Sequence, residues 1–282
     1  MTHSFSQLEA KWLNIICHFL RSVYKNTHLP SHDLSHHIRV WHNCKTLMVQ
    51  PSVSPDINPA ISAEHLLIAS LFHDTGLTID NSEEHGFVSV EICKEFFNQN
   101  PNLKTDNLDM VNFAIEHHDD KSLQLKDFKD LSPALQLTRL LSTSDDLDAF
   151  GIIGVYRYIE IYSLRGNVLE VIPQKVLTNM ANRFDNFIKL VNDNSNFTQY
   201  HTKRYHDAVC FFKNLDCELK DKTIGLGNHV YFAESIIHNI IEKGYSTKQT
   251  IDNELNVLHE GQVLDWFNQL KNEIEHPHTA LL

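Results

Sequence analysis

Apolar positions recur every three or four residues along almost the whole chain, the spacing that gathers them on one side of an α-helix. Leu8, Trp12, Ile15, Ile16 and Phe19 make such a stripe near the start. Ser31 is placed to cap a second helix carrying His36, Arg39 and Val40. The prolines of PSVSPDINP then mark a loop. The run from Ile61 to Phe72, with HLLIASLF at its centre, is apolar on most sides, which predicts a helix in the middle of a bundle. His73–Asp74 closes it and Thr75–Gly76 reads as its stop.

The pattern continues with a helix over about 83–98, where His85, Val88, Ile92 and Phe96 share a face, and another over about 107–118 with Val111, Ile115 and His118 in register. Ser132–Pro133 is an N-cap and first-turn pair for a helix ending near Asp145. GIIGVYRYIEIYSL reads as helix, although its β-branched and aromatic content also suits a strand. Helical spacing persists beyond Gly166, with no ligand cluster and no repeat, and His201 and His206 read as surface residues there. The expectation is an all-α protein in two parts: a core with its N-terminal helix over 1–165, and a helical extension over 166–282 packed on it rather than folding independently.

Composition agrees. Among 282 residues there are only 9 glycines, a share below the usual ~7%. A net charge of −12 disfavours nucleic acid as a partner, since phosphate backbones are met by clustered Lys and Arg. It leaves room for a small phosphorylated substrate whose charge is met by metal. Cys17, Cys44, Cys93, Cys210 and Cys217 form no CxxC pair and read as reduced thiols. With no run of transmembrane length and no basic leader, a cytoplasmic protein without membrane association is expected; a homo-oligomer is left open.

The chemistry lies in the order of His and Asp: His36 in HDLSHHIRV, His73–Asp74 in SLFHDTG, His85 in EEHGFVSV, His117–His118 in AIEHHDD and Asp145 in STSDDLDAFG. Mixed imidazole and carboxylate donors suit a borderline divalent ion. Residues 28–165 resemble the HD-domain superfamily of metal-dependent phosphohydrolases, and most closely its small members of unknown substrate. HDLSHHIRV is similar to their opening motif HDxxHxxRV, and SDDLDAFGIIGVYR to their closing motif ADxLDAxGxxGxxR.

The resemblance implies an HD-type helical bundle with additional C-terminal helices, and metal ligands His36, His73, Asp74 and Asp145. It implies catalytic roles for Asp74, His85 and His118, where the two histidines serve a second ion or grip phosphate. His117 competes with His118, because neighbours on a helix point about 100° apart, and is placed behind the ligands; Asp148 either stands there too or is a helix-stabilising charge, and His32 either backs His36 or is exposed in the N-terminal turn. Asp146 falls at a variable position of the closing motif. Arg39 and Arg157 are candidates for substrate phosphate, which guanidinium forks fit, or for ordinary ion pairs. The cofactor is one or two divalent ions, with Mn, Fe, Co, Ni or Zn fitting the donors better than Mg. The implied reaction is hydrolysis of a phosphate ester or pyrophosphate, in a nucleotide, by metal-activated water. The alternative is a regulatory nucleotide-binding HD module without turnover. HDTGLTID lacks the acidic residues expected of (p)ppGpp hydrolases and 5′-deoxynucleotidases, and no GYP follows as in cyclic-di-nucleotide phosphodiesterases.

Overall fold

The structure, a computed structural model, describes residues 2–82, 84–120, 127–220 and 228–275. Among them there is no strand, and no helix is long and apolar enough to cross a membrane. Contacts divide the chain into two compact units, one of residues 1–28, 32–147 and 190–192, the other of 29–31, 148–189 and 193–282.

In the first unit α1 (Thr2–Val23), α2 (Leu34–Val49), α3 (Ala63–Phe72), α4 (His85–Gln99) and α5 (Leu108–Glu116) are joined by α6 (Pro133–Asp148). The all-round apolar α3 sits in the middle, against α1, α2, α4 and α5, and every residue from His65 to Phe72 is buried. Ser62 starts it with a capping box in which His65 answers the Ser62 N–H, satisfying two donors that helix geometry leaves orphaned. Phe72 meets Phe19 and Phe96 with ring centroids 6.2 and 5.4 Å away. The fully buried phenyls of Phe72 and Phe96 are each worth roughly 1.5–3 kcal/mol over exposure.

Local expectations need three corrections. The buried stripe of α1 is Trp12, Ile16 and Leu20, whereas Ile15 is 40% exposed. The N-cap of α2 is Asp33, whose carboxylate accepts from Ser35 N–H at 2.9 Å; Ser31 instead donates its N–H to Glu160 within the second unit. On α4 the buried partner of His85 one turn on is Ser89, with Val88 only half-buried.

The second unit contains α7 (Gly151–Leu164), α9 (Asn196–Lys220), α10 (His229–Ile237), α11 (Thr247–Val257) and α12 (Gln262–Glu275), with most of α8 (Ile172–Val191). GIIGVYRYIEIYSL is helix, because its apolar residues at Ile153, Tyr156 and Ile159 find a helical partner in α9. Its first turn lacks a Ser, Thr, Asn or Asp cap. The Glu273 carboxylate serves instead, accepting from the N–H groups of Ile152 and Ile153 at 3.2 and 3.0 Å, with Arg204 beside it. Gly151 makes this approach feasible: its φ is +76°, and a Cβ would lie 2.8 Å from both Arg204 and Glu273. His201 is buried rather than on the surface, because it packs against the rings of Phe187, Phe197 and Tyr200, with the Phe197 centroid 4.6 Å away.

Candidate metal centre

The first unit brings His36, His73, Asp74 and Asp145 together from α2, the end of α3 and the last turn of α6. One donor atom from each lies within 4.8 Å of the others, and all four side chains are buried. His36 Nε2 is 3.2 Å from both His73 Nε2 and Asp74 Oδ2, and Asp145 Oδ1 is 3.5 Å from His36. Asp74, His85 and His118 form a second group meeting the same limit. Here Asp74 Oδ1 lies 3.2 Å from His85 Nε2 and 3.0 Å from His118 Nε2, and the two nitrogens are 3.4 Å apart. Donors bonded to one ion at about 2.0–2.2 Å stand about 3.0–3.5 Å from each other, so these separations match the edges of a coordination polyhedron, and only His73 Nε2 to Asp145 Oδ1, at 3.9 Å, is longer among those given. Asp74 belongs to both, one oxygen to each.

Main-chain carbonyls aim the imidazoles. His73 Nδ1–H donates to Ser70 O at 2.9 Å, His85 Nδ1–H to Ser82 O at 2.8 Å and His118 Nδ1–H to Ile115 O at 2.7 Å. A carbonyl only accepts, so Nδ1 carries a proton and Nε2 faces the centre, where its lone pair is presented whenever the ring is neutral. The donor set, its spacing and its tautomers therefore fit a divalent ion.

Glycines let the elements close on the site. A Cβ at Gly76 would stand 2.0 Å from His85 O, and one at Gly86 would stand 2.4 Å from Glu116 O. Gly76 is thus required by close approach of α4, and not as a left-handed helix stop: its φ is not positive. Ser89 fastens the same turn, donating to His73 O at 2.7 Å while accepting from Gly76 N–H at 2.8 Å.

The electrostatics follow. Burial works to raise the Asp74 carboxyl, but the charge of His73 and hydrogen bonds from His118, His36 and His73 hold it well below the usual range. For His85 burial opposes the charge, yet the Asp74 hydrogen bond and charge, with Asp119 behind them, push it up to about 9. His73 is raised on the same balance of burial against Asp74. These shifts favour protons on His73 and His85 beside the Asp74 carboxylate.

His118, 1% exposed, faces Asp74, whereas His117 is half-buried and turned onto Phe113, ring centroids 4.4 Å apart. His32 stacks edge-on near His36 at 5.5 Å. Asp146 is buried beside Asp145 but is not among the grouped donors. Arg39 is buried and donates to Ser35 Oγ at 3.0 Å. In the second unit Asp148 and Arg157 pair with each other at 3.4 Å.

Sequence reasoning missed the supports. His37 is fully buried and is not among the grouped donors; its Nδ1–H donates to Ser70 O at 3.2 Å, and its Nε2 accepts the Tyr24 hydroxyl at 2.7 Å. Burial, then the neighbouring His73 and His36, hold His37 well below its ordinary value, so it stays neutral. The Ser70 carbonyl therefore receives both His37 and His73. Ser89 and Asp119 were also missed. Only the register of Ser89 with His85 hinted at its place.

Comparison of the chain with curated proteins and with solved structures finds no match. Residues 33–150 match the family model of the HD domain, a span containing every donor described above. That segment, under half of the chain, is similar to the HD domain.

Proposed function

We propose that the protein is a metal-dependent hydrolase of a phosphate ester or pyrophosphate bond, acting on a nucleotide. The observation that carries this reading is the double use of Asp74, whose oxygens each complete a buried His/Asp donor group. A structural carboxylate in the core needs one good partner; this one has imidazoles on both sides, a cost in desolvation that an ion-binding role explains.

His36, His73, Asp74 and Asp145 would hold one ion, and Asp74, His85 and His118 a second. Bound divalent metal supplies Lewis acidity toward a phosphoryl oxygen and an acidified water. The protein's residues do the rest. The Nδ1–H bonds of His73, His85 and His118 keep the lone pairs converged, so little reorganisation is needed when substrate arrives. Ser89 holds the His73–Gly76 turn. Arg39, one helical turn beyond His36, is assigned to a substrate phosphate oxygen.

The test is a phosphatase, phosphodiesterase and pyrophosphatase panel over nucleotide substrates, with the full chain loaded with Mn²⁺, Co²⁺ or Ni²⁺. Turnover that vanishes in Asp74→Ala, with the circular dichroism spectrum preserved, supports the proposal. Nucleotide binding without turnover under every metal would replace it with the regulatory module.

A further inference from the structure

We infer that Asp119 is a ligand of the second ion, giving that group a fourth protein donor. This rests on the two-group reading of the site proposed above. Asp119 Oδ2 lies 3.6 Å from His85 Nε2 and 4.0 Å from His118 Nε2, on a turn that directly follows His118. It thus faces the same two nitrogens that Asp74 Oδ1 faces, and it sits slightly farther out than the 3.0 and 3.2 Å of the Asp74 contacts. Asp119 falls outside the group whose donor atoms all lie within 4.8 Å of one another, so an inward displacement of its side chain is needed to bring it to ligand spacing. Its side chain is 36% exposed where that of Asp74 is 6% exposed, so it has the freedom to make that displacement.

Donor chemistry points the same way. The first group has two imidazoles and two carboxylates: His36, His73, Asp74 and Asp145. Without Asp119 the second has two imidazoles and a carboxylate that it shares. With Asp119 the two halves match, and a third carboxylate offsets the four positive charges of two divalent ions. Buried like charges need such neutralisation, since the low-dielectric interior screens them poorly.

The experiment is Mn²⁺ binding to the full chain, by equilibrium dialysis with metal analysis and by electron paramagnetic resonance of the bound ions. Wild type is expected to bind two Mn²⁺ per chain with the exchange-coupled spectrum of a close pair. Asp119→Asn keeps size and shape while removing the charge; it should retain the first ion at unchanged affinity and bind the second about ten- to a hundred-fold more weakly. Asp119→Glu should recover part of that loss, which a purely structural role would not allow. Two ions bound to Asp119→Asn as tightly as to wild type would overturn the inference. So would a wild type that binds a single ion, a result that leaves hydrolysis at the first group intact. Wild type binding no ion would overturn the function proposed above as well.

Discussion

At the centre of the first unit the helices converge on imidazoles and carboxylates; at the centre of the second they converge on rings. Phe232 stacks on Trp266 with centroids 4.9 Å apart, and Phe211, Phe212 and Phe267 fill the space around them. The second unit places its Arg204–Glu273 pair at the first turn of α7, where a helix start wants negative charge. The first buries Asp74 with only 5% of its surface exposed. The contrast teaches that the first unit keeps a costly polar centre which the other shows is unnecessary for a helical core. Such a centre is evidence of use, and its stability should depend on what occupies it.

The largest expected break in the comparison is Asp74→Ala. Removing the shared carboxylate should cost at least about a thousand-fold in kcat/KM, roughly 4 kcal/mol, and leave the purified protein with little bound metal. A variant keeping a tenth of the wild-type rate would refute the shared role. Next is Phe212→Ala in the second unit. Truncating a fully buried ring should destabilise by about 3–5 kcal/mol in denaturant melts. Metal stoichiometry of the folded protein should not change; if it falls, the two centres are not separable.

Ser89→Ala tests the support of the HD turn. It leaves the buried Gly76 N–H without its acceptor, at about 1–3 kcal/mol, and should weaken metal affinity more than Phe212→Ala does. Equal effects on affinity would mean that Ser89 only packs.

The smallest effect is a pH dependence of opposite sign in the metal-free and metal-loaded proteins. His85 is raised from 6.5 to about 9 in the folded state. Its contribution to metal-free stability is therefore fully present below about pH 6.5 and is lost as pH rises to about 9. Metal needs the neutral ring, so metal affinity should climb across the same interval. Melting curves with chelator should fall by a few degrees from pH 6.5 to 9 and those with Mn²⁺ should not; parallel curves would exclude His85 as the proton site.

How much of this could be read from the chain depended on whether a residue's role leaves a pattern. The central place of α3 was legible because its apolar positions have no polar side. The convergence of His36, His73, Asp74 and Asp145 was legible because each sits in a motif with a fixed neighbourhood. His117 against His118 was not, since only the turn after α5 decides which ring faces inward. Tyr24 and His37 left no trace because a hydroxyl or imidazole in a supporting hydrogen bond has no characteristic spacing, and Ser89 left only its register with His85. Gly76 looked like a stop signal, while its real constraint, the backbone of α4, comes from a different part of the sequence.

The acceptors that orient His73, His85 and His118 are all carbonyls of the preceding turn, at Ser70, Ser82 and Ile115. A peptide oxygen survives every side-chain replacement at its own position. Orientation of these rings is thus insulated from mutational drift, and an ancestral lineage could remodel the surrounding residues for new substrates while the inward aim of the imidazoles passed on unchanged.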